Sequence, residues 1–267
     1  MLIPERQSRL QELLSRRGMA NLELLAGELN VSQSTIRRDI DAMVQRGLVT
    51  RTHGGVIWVG ERITSGTRPY AFDQRMGYQL DVKRQIARAA AQLIQPGETV
   101  LIDGGTTTFY LAQELVGIPL QIVTNSLPIA NLFLNDENVE LVLTGGIAYP
   151  RYGVLLGPIL ENVLATVHVK RMFFSVAGIH EGSLYNQNML LVQAEKTMMR
   201  QTQQAILLAD SSKFGQQALA RLCNLGEIHT VVSDCGLEAA HQEQTRAAGC
   251  QLILADPAAS TSAAAKG

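Results

Sequence analysis

Several things this chain does not have narrow its identity before anything it has is considered. Its three cysteines, Cys223, Cys235 and Cys250, form no CxxC pair and no His-paired spacing. That excludes a disulfide framework or a zinc ribbon and leaves small buried apolar residues in a reducing compartment. No apolar run approaches the roughly 20 residues that a bilayer-spanning helix needs. The opening Met1-Leu2-Ile3-Pro4-Glu5-Arg6 runs into a charged amphipathic stretch without an apolar leader core, so the expectation is a cytoplasmic protein with no membrane partner. The net charge of −1 is too small to name a partner by itself. No metal and no cofactor is expected.

What is present is more specific. A length of 267 residues with 46% hydrophobic content fits about two soluble domains. The first 60 residues hold eight Lys/Arg against six Asp/Glu, and the remainder fifteen against eighteen. Such a slightly basic head on a mildly acidic body is weakly suggestive of a nucleic-acid reader. Within the head, Ile36, Ile40 and Met43 fall at i, i+4 and i+7, the apolar stripe of a helix, with Ser32 at the N-cap position. The opposite face carries Gln33, Ser34, Thr35, Arg37 and Arg38, the short polar and cationic set that a helix presents to a major groove. Taken alone, the same pattern also reads as a surface helix with a basic face.

The neighbours of that helix favour the first reading. Asn21 to Leu29 forms a short amphipathic helix, and Asn30-Val31 a tight connection, which is helix-turn-helix spacing. Gly47 is a candidate stop. Leu48 to Trp58 then reads as two strands joined at Gly54-Gly55, a basic wing with Arg51 and His53 near DNA phosphates. An upstream helix from Glu5 to Arg17 completes a small core on Leu10, Leu13 and Leu14. The expected plan is a winged helix-turn-helix domain over residues 1–58, a linker over 59–77, an effector-sensing α/β domain over 78–255 and a disordered Ala/Ser-rich tail over 256–267.

In the second domain a helix from about Leu80 to Ile94 leads into strand-like runs alternating with helices. The runs are Thr99–Asp103, Leu120–Thr124, Val139–Thr144, Met172–Val176, Ala205–Ala209, Thr230–Ser233 and Gln251–Leu254. That alternation predicts an α/β fold with a mostly parallel sheet covered on both faces. Ligands of such sheets bind beyond the carboxyl ends of the strands. Asp103-Gly104-Gly105-Thr106-Thr107-Thr108 stands at one such end, with glycines for close approach, three hydroxyls and a helix N-terminus that favours an anion. It lacks the lysine of a Walker loop and the spacing of a dinucleotide fingerprint, which points to a phosphate monoester rather than a nucleotide. Asn125 and Gly146 stand at two further strand ends, and Lys213 offers a second positive charge. Each also has a plainer reading: a strand-to-helix turn for the Gly-Thr loop, a cap for Ser126, a solvated lysine for Lys213.

The run Ser32-Gln33-Ser34-Thr35-Ile36-Arg37-Arg38-Asp39, followed by Arg51-Thr52-His53-Gly54-Gly55, closely resembles the DeoR family of bacterial transcriptional regulators. The likeness continues through Asp103–Thr108, Thr124-Asn125-Ser126, Thr144-Gly145-Gly146 and Leu208-Ala209-Asp210-Ser211-Ser212-Lys213-Phe214-Gly215, covering about residues 5–255. The resemblance implies a winged-helix domain joined to a sensor domain folded like ribose-5-phosphate isomerase. It further implies regulation of a carbohydrate-use operon by a phosphorylated sugar or polyol, bound by Asp103, Gly105, Thr106, Thr107, Thr108 and Lys213. Two stretches depart from the family pattern: Lys170 stands where an acidic residue is common, and Ser175-Val176-Ala177-Gly178 where Gly-Ala-Asn-Gly is frequent. Both bear on the sugar end of the pocket.

The expected protein is therefore a repressor and not an enzyme, a homodimer or homotetramer on operator DNA. Thr35, Arg37 and Arg38 position or read the DNA, and Arg51 and His53 touch its backbone. The alternative is a sugar-phosphate isomerase with a DNA-binding head. Its proton abstraction would draw on Asp103, Asp210 or Glu195.

Overall fold

The computed structural model describes residues 6–256 except 8, 12, 15–18, 46–47, 53–54, 59–71 and 77, with backbone alone for residues 19, 45, 50–52, 57, 58, 73 and 74. The chain divides into two units, Met1–Tyr70 and Ala71–Gly267. Gly47, His53 and Gly54, most of the 59–77 stretch and all of the tail after residue 256 lie outside the described residues.

In the first unit, α1 is helical over the described residues between 6 and 14. Strand β1 (Met19–Ala20), helices α2 (Leu22–Leu29) and α3 (Gln33–Gln45), and strands β2 (Val49–Thr52) and β3 (Gly55–Trp58) follow. The side chain of Asn21 caps α2 by accepting from the Leu24 N–H at 2.8 Å. Asn30 ends it in the left-handed region at φ 51°, a conformation whose cost asparagine bears better than most residues. The Ser32 hydroxyl accepts from the Thr35 N–H at 3.2 Å and so starts α3. The expected stripe is buried, with Ile36 and Ile40 at 0% exposure and Met43 at 2%. It closes on Leu10, Leu14, Leu25, Leu29, Val49 and Val56.

The wing differs from expectation in one respect. Thr52 pairs with Gly55, so Gly55 belongs to the second strand rather than the turn. It sits against β1, which pairs antiparallel with β3 (Met19 opposite Ile57, Ala20 opposite Val56). A Cβ on Gly55 would meet the Ala20 carbonyl oxygen at 2.4 Å. That close backbone approach, not a turn, is what requires glycine here.

The second unit begins with α4 (Phe72–Met76), a helix on the last part of the stretch read as linker. A seven-stranded sheet follows, in the order β15-β14-β12-β9-β4-β5-β6, every neighbouring pair parallel. Its strands are β4 (Thr99–Ile102), β5 (Leu120–Thr124), β6 (Val139–Leu143), β9 (Val169–Phe174), β12 (Thr202–Leu208), β14 (Thr230–Asp234) and β15 (Gln251–Ala255). Period-two alternation divides their side chains between two cores. Leu101, Met172, Phe174, Leu207 and Val231 face one, with α8 (Pro158–Leu164) and α9 (Met189–Arg200) over them. Val100, Ile102, Phe173, Ile206, Leu208 and Val232 face the other, under α5 (Leu80–Ala91), α6 (Thr106–Glu114) and α7 (Leu127–Phe133).

Some elements carry no period that the sequence could show. Hairpin β7 (Ile147–Tyr149)–β8 (Val154–Leu156) and hairpin β10 (Gly178–His180)–β11 (Ser183–Asn186) are built from strands of three or four residues. Strand β13 (Ala220–Asn224) joins the second of these, and α10 (Ala239–Ala247) precedes β15. Strand β9 starts at Val169 rather than Met172, its first residues including Lys170 and Arg171. Cys223 and Cys250 are buried as expected, whereas Cys235 is exposed; all three are free thiols. Among the described residues no helix is long and apolar enough to cross a membrane.

Candidate functional site

Two places in the molecule have the makings of a site. The first is the outer face of α3. Gln33, Ser34, Arg37 and Arg38 are exposed there, and Thr35 is half-buried. The Ser32 hydroxyl lies 2.8 Å from the Ser34 hydroxyl and 2.9 Å from that of Thr35, so the first turn is a small hydroxyl network. Arg51 lies in β2; its side chain, like all of His53, is outside the described residues.

Beneath that face, Asp39 is 3% exposed and accepts from Arg6 of α1 at 2.6 and 3.1 Å and from Gln7 at 3.2 Å. Burial alone would raise the Asp39 carboxyl, but the bonds from Arg6 and Gln7 outweigh it and hold the group below its ordinary value. This pair ties α1 to the inner side of α3. Sequence reasoning missed it, although Asp39 stands three residues after Ile36, where a carboxylate must find a partner.

The second place is set by topology. From β4 the chain moves outward to β5 and β6, then returns on the other side of β4 with β9, β12, β14 and β15. The carboxyl ends of β4 and β9 therefore flank a crevice of the kind in which open parallel sheets bind ligands. Asp103 and Ser175 stand at its two lips, joined by the Asp103 N–H to Phe173 carbonyl bond of 3.0 Å. A Cβ on Gly105 would reach the Ser175 hydroxyl at 2.2 Å, and one on Gly104 the Val154 side chain at 2.1 Å. These two glycines let the loop lie against both walls.

The threonines expected in a turn form the first turn of α6 instead, because Gly105 is its N-cap. Thr106, Thr107 and Thr108 are all buried, and the Thr108 hydroxyl donates to the Gly105 carbonyl at 3.0 Å. Asn125 is fully buried; its Oδ1 accepts from the Gly104 N–H at 3.2 Å and its Nδ2 donates to Leu155 at 3.4 Å. It holds the loop against β8. The Ser126 side chain caps α7. Gly146 has φ of 130°, and a Cβ on it would meet the chain's own Leu156 carbonyl oxygen at 2.7 Å.

Acids and bases gather around this crevice. Burial pushes the Asp103 carboxyl upward, against the pull of the Gly104 N–H and Asn125. Burial first, and then the charge of Asp103, raise Glu195 of α9 well above the ordinary carboxylate range. One Glu195 oxygen accepts from Asn186 and the other is buried without a hydrogen-bond partner. Asp210 accepts from the Ser212 N–H at 3.1 Å, and its second oxygen is likewise unpartnered. Lys213, half-exposed in the same loop, acts on Lys83 of α5, whose ammonium is pushed down to about 8, chiefly by burial.

Lys83 was not anticipated. The signal was available: residues 83, 86, 87 and 90 form the buried stripe of α5, and a lysine stands first among them. Lys170, by contrast, pairs with Glu98 at 2.6 Å at the amino ends of β9 and β4. It sits at the opposite edge of the sheet, so its departure from the family pattern does not shape the crevice. An open groove of about 570 Å³ lies between α8, α9 and β13, but none of the strand-end loops lines it.

Known proteins supply an independent view. A family model described as the DeoR C terminal sensor domain matches residues 78–235, and one described as the DeoR-like helix-turn-helix domain matches residues 6–62. The chain is 31% identical to an uncharacterized HTH-type transcriptional regulator of Bacillus subtilis, YulB, over 90% of its own length and 92% of that protein. It is 33% identical to the L-fucose operon activator of Haemophilus influenzae over 84% of its length and 89% of that protein. Among solved structures, ribose 5-phosphate isomerase A of Methanocaldococcus jannaschii is similar over 51% of this chain and 54% of that one, at 18% identity and a TM-score of 0.39. A likeness so partial says nothing about what the crevice binds.

Proposed function

Because the chain belongs to the DeoR family of transcriptional regulators, we propose that it controls a carbohydrate-use operon, gripping operator DNA with α3 and the β2–β3 hairpin and changing that grip when a phosphorylated sugar or polyol enters the strand-end crevice. The observation that carries this reading is the pairing, in one chain, of a helix whose exposed face is Gln33, Ser34, Arg37 and Arg38 with a parallel sheet that has a Gly-Gly-Thr helix start after β4 and Lys213 after β12. An N-terminal helix face of this kind reads base edges, while its arginines also hold phosphates. The N–H groups of a helix start, with a lysine nearby, are suited to a phosphoryl group.

On this reading the protein acts in the cytoplasm as a homodimer or homotetramer on two-fold-related half-sites. The direction of control is repression, relieved by the effector. Linkage sets the scale: an effector that favours a non-operator geometry by about 1–3 kcal/mol weakens DNA binding by roughly 5- to 150-fold, and DNA weakens the effector by the same factor. Gly105, Thr106 and Thr107 at the α6 start are assigned to the effector's phosphoryl group together with Lys213, and Asp103 to its sugar end, with Thr108, Asn125 and Gly146 as braces of the loops around them. A thermal-shift screen of sugar phosphates, with each hit retested for release of the protein's own upstream DNA, tests the proposal. Salt-sensitive binding to that DNA must be present without effector.

A second reading has one observation in its favour. Asp103 and Glu195 are interacting buried carboxyls at a ligand crevice, the arrangement that proton-transfer enzymes use. Aldose–ketose interconversion assays on pentose and hexose phosphates separate that reading from regulation alone, which we place first and without catalysis.

A further inference from the structure

Helix α4 is the first described element after residues 59–71, through which the chain connects it to the DNA-binding unit. At five residues it is too short to be stable by its own hydrogen bonds. What it touches keeps it in place. The Phe72 N–H donates to the Arg151 carbonyl, in the turn of hairpin β7–β8, at 3.1 Å. The Phe72 ring is buried and meets Phe109 of α6 edge-on, 5.8 Å between centres. At the other end of α4 the Tyr110 hydroxyl, also from α6, donates to the Met76 carbonyl at 3.1 Å. Midway, the Arg75 guanidinium lies 5.6 Å over the ring of Tyr152, again in the hairpin. Hairpin and α6 hold α4 between them.

Both holders are also walls of the strand-end crevice. Helix α6 starts at its Gly-Gly-Thr lip. The hairpin lies along the loop after β5: the Leu155 N–H donates to the Asn125 carbonyl at 2.8 Å, the Leu127 N–H donates to the Gly153 carbonyl at 2.9 Å, and Ser126 bridges to Val154. The Val154 side chain fills the place that a Cβ on Gly104 would take. Gly153, at φ 67°, marks the crossing from crevice to α4, since a Cβ there would stand 3.1 Å from the Pro128 ring and 3.9 Å from that of Phe72. The two strands of the hairpin have three residues each and form a sheet of their own. A hairpin of that size has little stability by itself, so its place follows the loops it rests on.

We propose that hairpin β7–β8 and α4 form the coupling device between the crevice and the DNA reader. Occupancy of the crevice shifts the lip at Gly104 and Asn125, the hairpin moves with it, and Phe72 carries the shift into the start of α4. The inference rests on the reading of the crevice as an effector site, and deepens it by naming how occupancy reaches the DNA. A ligand changes a distant affinity only through an element whose position both sites bias. Helix α4 is fastened to both crevice walls and continuous in chain with the reader. Phe72 is then a positioning residue, and reciprocity lets the device be tested from the DNA end.

The test uses the full chain and its own upstream DNA, with amide hydrogen exchange measured with and without that DNA. Wild type, Phe72→Ala, Tyr110→Phe and Leu225→Ala are compared; the last removes a buried side chain elsewhere in the second unit. In wild type, DNA changes exchange in residues 72–76 and 147–156. In Phe72→Ala and Tyr110→Phe the change at 147–156 is lost or falls by at least about half, while DNA affinity by gel shift stays within about threefold. Leu225→Ala keeps the change, which separates coupling from lost packing. A pentose or hexose phosphate that weakens wild-type DNA binding by about fivefold or more still raises the melting point of Phe72→Ala, yet weakens its DNA binding by less than about twofold. Unchanged exchange at 147–156 when wild type binds DNA overturns the proposal and leaves the regulator reading in place. So does a full response in both Phe72→Ala and Tyr110→Phe, or an equal loss in Leu225→Ala. If wild type does not bind the DNA at all, both fall. Should Phe72→Ala not give a cooperative melt, Tyr110→Phe, which lacks a single hydroxyl, decides between these outcomes.

Discussion

Replacing Gly55 by alanine isolates one contact of the DNA-binding unit. The added methyl would lie 2.4 Å from the Ala20 carbonyl oxygen and 3.1 Å from both the Ala20 carbonyl carbon and the Asn21 Cα, against ordinary contact beginning near 3.4 Å. All three atoms are backbone, so no rotamer change relieves the overlap, and β1 must retreat by about 1 Å. Overpacking of this kind costs about 1–3 kcal/mol. The retreat also drags Asn21, whose cap on α2 contributes about 1 kcal/mol, for a total of about 2–4 kcal/mol. In a unit of this size each kcal/mol moves the midpoint by about 4–8 °C, so a fall of at least about 8 °C is expected. The chain offers a built-in reporter: its single tryptophan, Trp58, lies in β3. Trp58 fluorescence should melt early in Gly55→Ala, and operator affinity at 37 °C should drop with it. A variant that keeps the wild-type midpoint and wild-type DNA affinity would refute the claim that β1 and β3 are held at glycine-only distance.

Three further outcomes are expected. Arg38→Ala should lower operator affinity by about 1–3 kcal/mol, roughly 5- to 150-fold, and leave sugar-phosphate stabilisation unchanged; a gel-shift titration reads the first and a thermal shift the second. Asp39→Asn should destabilise the first unit above the ordinary carboxylate range, where the depressed Asp39 group is ionised and its bonds from Arg6 are intact. That difference should vanish in acid, as wild type loses the same contribution when pH falls through the lowered value; Trp58 melts from neutral pH downward measure it. For Lys83, pushed down to about 8, the unfolded chain keeps a proton that the folded chain sheds. Its contribution to stability therefore rises with pH from about 8 toward the ordinary lysine value. That trend should flatten in Lys83→Met, and a wild type without it would count against a buried ammonium.

How much of this was visible in the amino-acid order depends on period. Ile36, Ile40 and Met43 announce α3 because a buried helix stripe repeats over many residues. The strands of the large sheet announce themselves because each holds a run of apolar residues. Hairpins β7–β8 and β10–β11 do not, since three or four residues carry no period and Pro150 and Gly153 read as punctuation. Boundaries also shifted where charge interrupts a strand, as at Lys170 and Arg171 in β9. In the candidate site, Asp103, Asn125 and Lys213 were legible from their places after strands. Lys83 was not, because a charged residue in a helix is ordinarily read as solvated. The retrievable clue was positional: Lys83 and Asp39 each sit on the apolar stripe of their helix, where a charge needs an answer from elsewhere in the molecule.

The sheet order has a consequence for how such a molecule changes over generations. The candidate site draws on segments far apart in the chain, among them those of Lys83, Asp103, Ser175, Glu195 and Lys213. The strands beneath are filled by side chains such as Leu101, Phe173 and Leu207, which are wholly buried in the two cores. On the proposed reading, a substitution at the rim would retune which metabolite is favoured while those buried side chains keep their packing. One scaffold could then be passed from sugar to sugar, each new specificity a matter of a few loop residues, while the DNA reader stays as it was.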